Sequence, residues 1–99
     1  MSRTANKPDN VIQHEELCRD LNELYERKNH DYGDSFHETF VKYGLTMSAI
    51  RLGDKFSRFE KLITTENREV KDESIRDTLI DLANYALMTV MELDRENRN

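Results

Sequence analysis

The sequence has few residues that cross-link a chain or interrupt its helices. Among its 99 residues there are one cysteine, three glycines and one proline. The single cysteine, Cys18, cannot form an internal disulfide, so we expect a reducing, cytoplasmic compartment, with Cys18 packed as a small core hydrophobe. Because glycine and proline are rare and no hairpin signal is present, the sequence predicts long helices joined by short loops.

Long apolar runs and an excess of positive charge are also lacking. No stretch approaches the ~18 apolar residues of a membrane span, and the first ten residues contain no signal-peptide core. The formal net charge of −5 argues against duplex nucleic acid as a partner, because phosphate-backbone binding usually requires a basic domain. The length predicts one domain over residues 1–99, with frayed tails at 1–9 and 94–99. Its thin core predicts a homo-oligomer.

Apolar residues recur at helical spacing along the chain. The pattern predicts an all-α, small antiparallel bundle of three long helices and one short helix. The predicted helices cover residues 10–28, 36–43, 46–64 and 72–93, with a turn at 29–34 and a loop at 64–71. Asn10, Ser35 and Asp72 are the predicted N-caps, and Gly44 is predicted to end the short helix. The inward stripes are predicted to be Ala49, Leu52, Phe56, Phe59 and Ile63, then Ile75, Leu79, Leu82, Ala86 and Val90.

The last helix carries acidic residues on one side. At 100° per residue, an arc of about 80° holds Glu73, Asp77, Asp81 and Asn84. Like charges one turn apart repel by ~0.2–0.5 kcal/mol per pair, so we expect a cation to neutralise them. Mg²⁺ held by one or two carboxylates and by substrate phosphates would do so. Alternatively, these side chains are solvated, and Glu73 and Asp77 favour the positive end of the helix dipole.

The third helix carries a complementary basic side. An arc of about 120° holds Arg51, Asp54, Lys55, Arg58 and Lys61. Arginine and lysine on one side suit phosphate oxygens, which arginine can bind in a bidentate manner. Asp54 interrupts this run of cationic residues, and a role as a metal ligand would explain its position. Alternatively, this side forms a salt-bridge seam with the acidic side of the last helix.

The segment from Lys28 to Gly33 combines a cation, an acid, an aromatic ring and a flexible residue. Such a segment can stack a base on Tyr32 and contact a phosphate with Lys28. Alternatively, it is a capping turn with Tyr32 packed on the core.

Three segments together resemble a known family: KNHDYGDSF at 28–36, RLGDKFSRFEKL at 51–62 and DESIRDTLIDLANYALM at 72–88. They are similar to the phage and bacterial nucleotide-modification-associated domain, which is related to MazG-like, all-α nucleoside triphosphate pyrophosphatases. The resemblance implies a helical, commonly oligomeric protein that handles nucleotides with Mg²⁺, or Mn²⁺, in a bacterial cell or phage-infected host. In those pyrophosphatases, acids on two neighbouring helices hold a metal that activates water.

The resemblance also implies roles for individual residues. The implied metal ligands are Asp54, Glu73, Asp77 and Asp81, with Asp77 and Asp81 as the catalytic pair. Together with the basic side, the residues expected to bind the nucleotide are Lys28, Asp31, Tyr32, Arg51, Lys55, Arg58, Asn84 and Tyr85. The third helix departs from the Glu-Glu-x-x-Glu cluster of typical MazG-like enzymes, because it reads Asp54-Lys55-Phe56-Ser57-Arg58.

Three hypotheses of function follow from these patterns. The first is a Mg²⁺-dependent nucleotide pyrophosphohydrolase in which Lys55 and Arg58 stabilise the leaving pyrophosphate. The second, favoured by the replaced acids, is a non-catalytic protein that sequesters a nucleotide or a cyclic-nucleotide signal. The third is a helical oligomeric adaptor without a small-molecule ligand, in which Tyr85, Met88 and Met91 form a subunit contact.

Overall fold

The computed structural model describes residues 7–32, 34–64 and 68–98, except for the side chains of Tyr32 and residues 68–72. Within these ranges the regular structure consists of four helices: α1 (Asp9–Tyr32), α2 (Ser35–Tyr43), α3 (Leu45–Ile63) and α4 (Arg68–Arg98). The predicted all-α class is therefore confirmed. The chain forms two compact units, residues 1–33 and 34–99. Every helix in the described ranges is too short or too polar to cross a bilayer.

The first unit consists of α1, which is longer than predicted. The predicted turn at 29–34 is wrong for residues 29–32, which belong to α1. No glycine or proline occurs between Pro8 and Gly33, so nothing local stops the helix. Cys18 is exposed, which corrects its assignment to the core. It lies about 100° around the helix from Leu17 and away from the centre of the apolar stripe.

The predicted end of the short helix is confirmed, but the three predicted N-caps are wrong. Asn10 lies inside α1, which begins at Asp9. Gly44 ends α2 with φ of +63°, where glycine is favoured, and its N–H donates to the carbonyl of Phe40 at 2.7 Å. The N-cap residue of α2 is Asp34 rather than Ser35, and its side chain makes no capping hydrogen bond. Asp72 lies inside α4, because the preceding residues 68–71 include good helix formers. At its other end, α4 continues to Arg98, past the predicted end at Leu93.

Two side-chain contacts show that α3 and α4 run antiparallel, as predicted. Ser48 of α3 meets Thr89 of α4, with 2.9 Å between the hydroxyl oxygens. Further along α3, Lys55 meets Asp81, with 3.1 Å between Nζ and Oδ2. The residue number rises along α3 while the partner's number falls along α4, so the two helices form an antiparallel hairpin.

The side of α4 that packs on α3 is more polar than predicted. In the described ranges the buried side chains are Phe40, Met47, Ser48, Thr78, Thr89 and Glu92. Six residues predicted to face inward are instead exposed: Ala49, Phe56, Ile63, Leu79, Ala86 and Val90. Apolar residues occupy a wide arc around each helix, and only the side chains at one edge of that arc are buried by packing. The hydroxyl of Thr78 is satisfied locally, because it donates to the carbonyl of Ser74 at 2.7 Å.

We predict that the Ser48–Thr89 contact couples the stability of the two helices. Thr89 Oγ1 lies 2.9 Å from the carbonyl of Tyr85 and 2.9 Å from Ser48 Oγ. A hydroxyl has one hydrogen, so Thr89 donates to the carbonyl and accepts from Ser48. Thr89→Val leaves the buried Ser48 hydroxyl unsatisfied and should lower the free energy of unfolding by about 1–3 kcal/mol.

Urea unfolding of the single and double variants checks this prediction. Adding Ser48→Ala to Thr89→Val removes the unsatisfied hydroxyl and should recover part of the loss. Strict additivity of the two single substitutions would contradict the coupling.

Candidate functional site

The α3–α4 hairpin has two different faces. Because the helices are antiparallel and Lys55 contacts Asp81, side chains on the Lys55 edge of α3 share a face with those on the Asp81 edge of α4. This polar face comprises Arg51, Asp54, Lys55, Arg58, Lys61, Glu73, Asp77, Asp81 and Asn84. Exposed apolar side chains lie about 80° or more around each helix from these edges, and together they are called the apolar face: Leu45, Phe56, Ile63, Leu79, Leu87 and Val90. The predicted basic and acidic sides therefore lie on one face of the hairpin.

The salt bridge between Lys55 and Asp81 joins the two halves of the polar face. Its Nζ and Oδ2 atoms are 3.1 Å apart, and the two side chains are 28% and 24% exposed. This degree of burial weakens solvent screening relative to a surface pair. At this position the structure agrees with the alternative of a salt-bridge seam between the basic and acidic sides.

A shallow pocket lies on the α3 half of the polar face. It has a volume of about 280 Å³ and is lined by Asp54, Ser57, Arg58, Lys61 and Leu62. All five residues belong to α3, so the pocket is an open depression on one helix. It presents two cationic groups, one hydroxyl and one carboxylate, a set that can bind an oxyanion such as phosphate.

The four predicted metal ligands are spread over the polar face. Within the described ranges, no three histidine, cysteine, aspartate or glutamate side chains are grouped so as to hold an ion. Glu73 and Asp77 are exposed on α4, and Asp54 lines the pocket on α3. The carboxylate of Asp81 is already neutralised by an ammonium group.

The other predicted nucleotide-binding residues have different surroundings. The ring of Tyr85 stacks on Phe36, with 6.0 Å between their centroids, and is half-buried. Asn84 is also half-buried, whereas Arg51 is exposed. Lys28 and Asp31 are exposed in the last turns of α1, in the first unit. The side chain of Tyr32 lies outside the described part. The predicted roles of Lys28, Asp31 and Tyr32 in nucleotide binding stay predictions.

Sequence reasoning missed a cluster of charged and polar groups where α2 meets α4. His37 Nδ1 lies 2.6 Å from Glu92 Oε1, and Arg95 Nη1 lies 3.0 Å from Glu92 Oε2. The short contact implies that Nδ1 carries a hydrogen and donates it to the carboxylate. Two charge-assisted partners explain why Glu92 can be buried at 5% exposure. No spacing in the sequence links His37 to Glu92, because the two residues lie on different helices.

One of three comparisons with known proteins produced a match. A family model described as nucleotide modification associated domain 1 matches residues 28–93, which include α2, α3 and most of α4. No curated protein and no solved structure is similar enough to the chain to count as a match. The match confirms the resemblance to the nucleotide-modification-associated domain, whereas a relation to the MazG-like pyrophosphatases stays a prediction.

Proposed function

Since the chain belongs to the nucleotide modification associated domain 1 family, we propose that it binds the phosphate groups of a nucleotide on the polar face of its α3–α4 hairpin. The observation that carries this proposal is the pocket on α3. Its Arg58 guanidinium can bind two phosphate oxygens at once, and the Lys61 ammonium and Ser57 hydroxyl add donors beside it. The carboxylate of Asp54 offsets one of the two positive charges.

The size of the pocket limits which part of the ligand it can hold. At about 280 Å³ it lies just below the range of about 300–1,000 Å³ that is common for small-molecule sites. A phosphate or diphosphate group fits such a volume better than a whole nucleotide does. The sugar and base would therefore extend from the pocket along the polar face.

Binding without hydrolysis fits this geometry better than the pyrophosphohydrolase hypothesis. In the MazG-like pyrophosphatases that the chain resembles, acids on two neighbouring helices together hold the metal that activates water. In the described ranges Asp54, Glu73, Asp77 and Asp81 are not grouped in this way. We therefore propose a protein that binds and sequesters a nucleotide or a nucleotide-derived signal, with the Mg²⁺-dependent pyrophosphohydrolase as the rival hypothesis.

A calorimetric titration tests the proposal. The full chain is titrated with a nucleoside and with its mono-, di- and triphosphates, each with and without Mg²⁺, and the ligand is then recovered and analysed. We expect affinity to rise with the number of phosphates, to fall with added salt, and to leave the ligand intact.

Two results would overturn it. Absence of binding to every phosphorylated ligand would remove the nucleotide-binding function. Pyrophosphate release that requires Mg²⁺ and stops in Asp77→Asn and Asp81→Asn would instead establish the pyrophosphohydrolase.

The apolar face favours self-assembly as a second property. Its six side chains are between 41% and 55% exposed and offer an apolar area on the order of 500 Å². This is a large part of the about 800 Å² that each partner buries in a stable interface. A second copy of the chain would cover this face with an equally apolar one, as in an isologous dimer. Of the contact residues predicted earlier, Met91 is exposed, whereas Tyr85 packs on Phe36.

We predict that Leu87→Arg lowers the mass of the protein in solution by a factor of about two or more, because a charge cannot be buried there without a partner. Light scattering coupled to size-exclusion chromatography measures the mass, with Glu38→Arg at an exposed position on α2 as the control. A wild-type chain that is monomeric at every concentration would contradict the assembly.

A further inference from the structure

The acidic side of α4 contains a carboxylate that already has a counter-ion from the protein. Asp81 and Lys55 are 3.1 Å apart, and each side chain is about three-quarters buried. A partly buried carboxylate must be neutralised, since low local polarity strengthens the repulsion by neighbouring acids. Asp77 lies one turn away on the same side of α4 and adds to that repulsion.

Lys55 is close in sequence to two residues of α3 that line the proposed phosphate pocket. On α3, Lys55 directly follows Asp54 and lies about one turn before Arg58, and both of these residues line the pocket. A negative charge on Asp81 without a counter-ion would repel a phosphate bound to Arg58. Neutralisation by Lys55 removes that repulsion without a divalent ion.

We infer that Lys55 acts as the built-in counter-cation of the acidic side, so that the polar face binds phosphate oxyanions without a resident divalent metal. The inference rests on the proposed function for its ligand, but the charge relation between Lys55 and Asp81 can be measured without a nucleotide. If the Lys55 ammonium group takes the place of a metal ion, then removing the ammonium group should create affinity for a divalent metal ion.

The first experiment uses Mn²⁺ alone as the probe. The full chain is titrated and free Mn²⁺ is followed by electron paramagnetic resonance. Lys55→Met keeps most of the apolar stem and removes the charge, and it should tighten Mn²⁺ binding by about tenfold or more relative to the wild type. Lys42→Met, at an exposed position on α2, is the matched control and should change nothing.

A second substitution identifies the acid that holds the ion. Adding Asp81→Asn to Lys55→Met should abolish the gain, whereas adding Asp94→Asn, an exposed acid on the same helix, should preserve it. Circular dichroism of each variant establishes that the helices remain. Equal Mn²⁺ affinity in wild type and Lys55→Met, or a gain that persists in Lys55→Met/Asp81→Asn, would overturn the inference.

The nucleotide titration then separates the two proposals. Wild-type binding that is the same with EDTA as with Mg²⁺, together with Mg²⁺-dependent binding in Lys55→Met, is the expected result. Nucleotide binding that requires Mg²⁺ in the wild type overturns metal independence while the proposed function stands. If Lys55→Met binds Mn²⁺ more tightly but no variant binds a nucleotide, the role of Lys55 as counter-cation stands and the proposed nucleotide-binding function is wrong.

Discussion

Arg58→Glu is expected to weaken the binding of a nucleoside triphosphate by about 100-fold or more. The substitution removes a charged, bidentate donor worth about 1.5–3 kcal/mol and places a carboxylate beside the phosphates. Isothermal calorimetry with and without added salt measures the effect. The salt dependence of binding should also weaken in the variant, since one charge contact is lost.

Two comparisons make this result specific to the pocket. Arg58→Lys keeps the charge but loses the planar fork, so it should weaken binding by an intermediate factor of about 10. Arg76→Glu introduces the same charge change at an exposed position of α4, about 140° around that helix from Asp81, and should have little effect. Equal losses in Arg76→Glu and Arg58→Glu would show that net charge, rather than the pocket, governs affinity.

Phe40→Ala is expected to lower the free energy of unfolding by about 3–5 kcal/mol. Phe40 is 4% exposed, and in the described ranges Met47 is the other buried hydrophobic side chain. Because domains of this size are stable by only about 5–15 kcal/mol, this loss would remove a substantial part of the total stability. Urea unfolding followed by circular dichroism measures it.

The neighbouring residue provides the control for Phe40. Val41 is 70% exposed on the same short helix, so Val41→Ala should change stability by about 0.5 kcal/mol or less. A loss below about 1 kcal/mol in Phe40→Ala would contradict a role of the buried Phe40 ring in the core.

The helices were predictable from the sequence, but several of their ends were not. Gly44 ends α2 because its φ of +63° suits glycine, and that signal is local. Asp72 has the chemistry of an N-cap, yet α4 begins before it at Arg68. A capping residue can also occur inside a helix when the residues before it favour helix as well, so its position alone does not decide the boundary.

The buried side of α4 was not predictable from its apolar residues. Val90 was predicted to face inward but is exposed, whereas its neighbours Thr89 and Glu92 are buried. Apolar residues surround much of this helix, so periodicity does not select the edge that meets α3. The buried polar groups have hydrogen-bond partners that the sequence does not reveal. Thr89 bonds to the carbonyl of Tyr85 in its own helix and to Ser48 of α3. Glu92 bonds to His37 of α2.

The polar face was predictable in its composition but not in its pairing. Complementary charge on the two helices indicated either a metal site or a salt-bridge seam, because both need acids and bases at helical spacing. The contact between Lys55 and Asp81 depends on the register of the two helices, which spacing within one helix does not determine. The pocket at Arg58 likewise depends on the side-chain conformations of α3.

The most direct test of phosphate binding on the polar face is a nuclear magnetic resonance titration of the labelled full chain with a nucleoside triphosphate in EDTA. We expect the largest shifts at Ser57, Arg58 and Lys61, smaller ones at Lys55 and Asp81, and little change at Leu87 and Val90. Shifts concentrated on the apolar face, or none at saturating ligand, would contradict the proposed site.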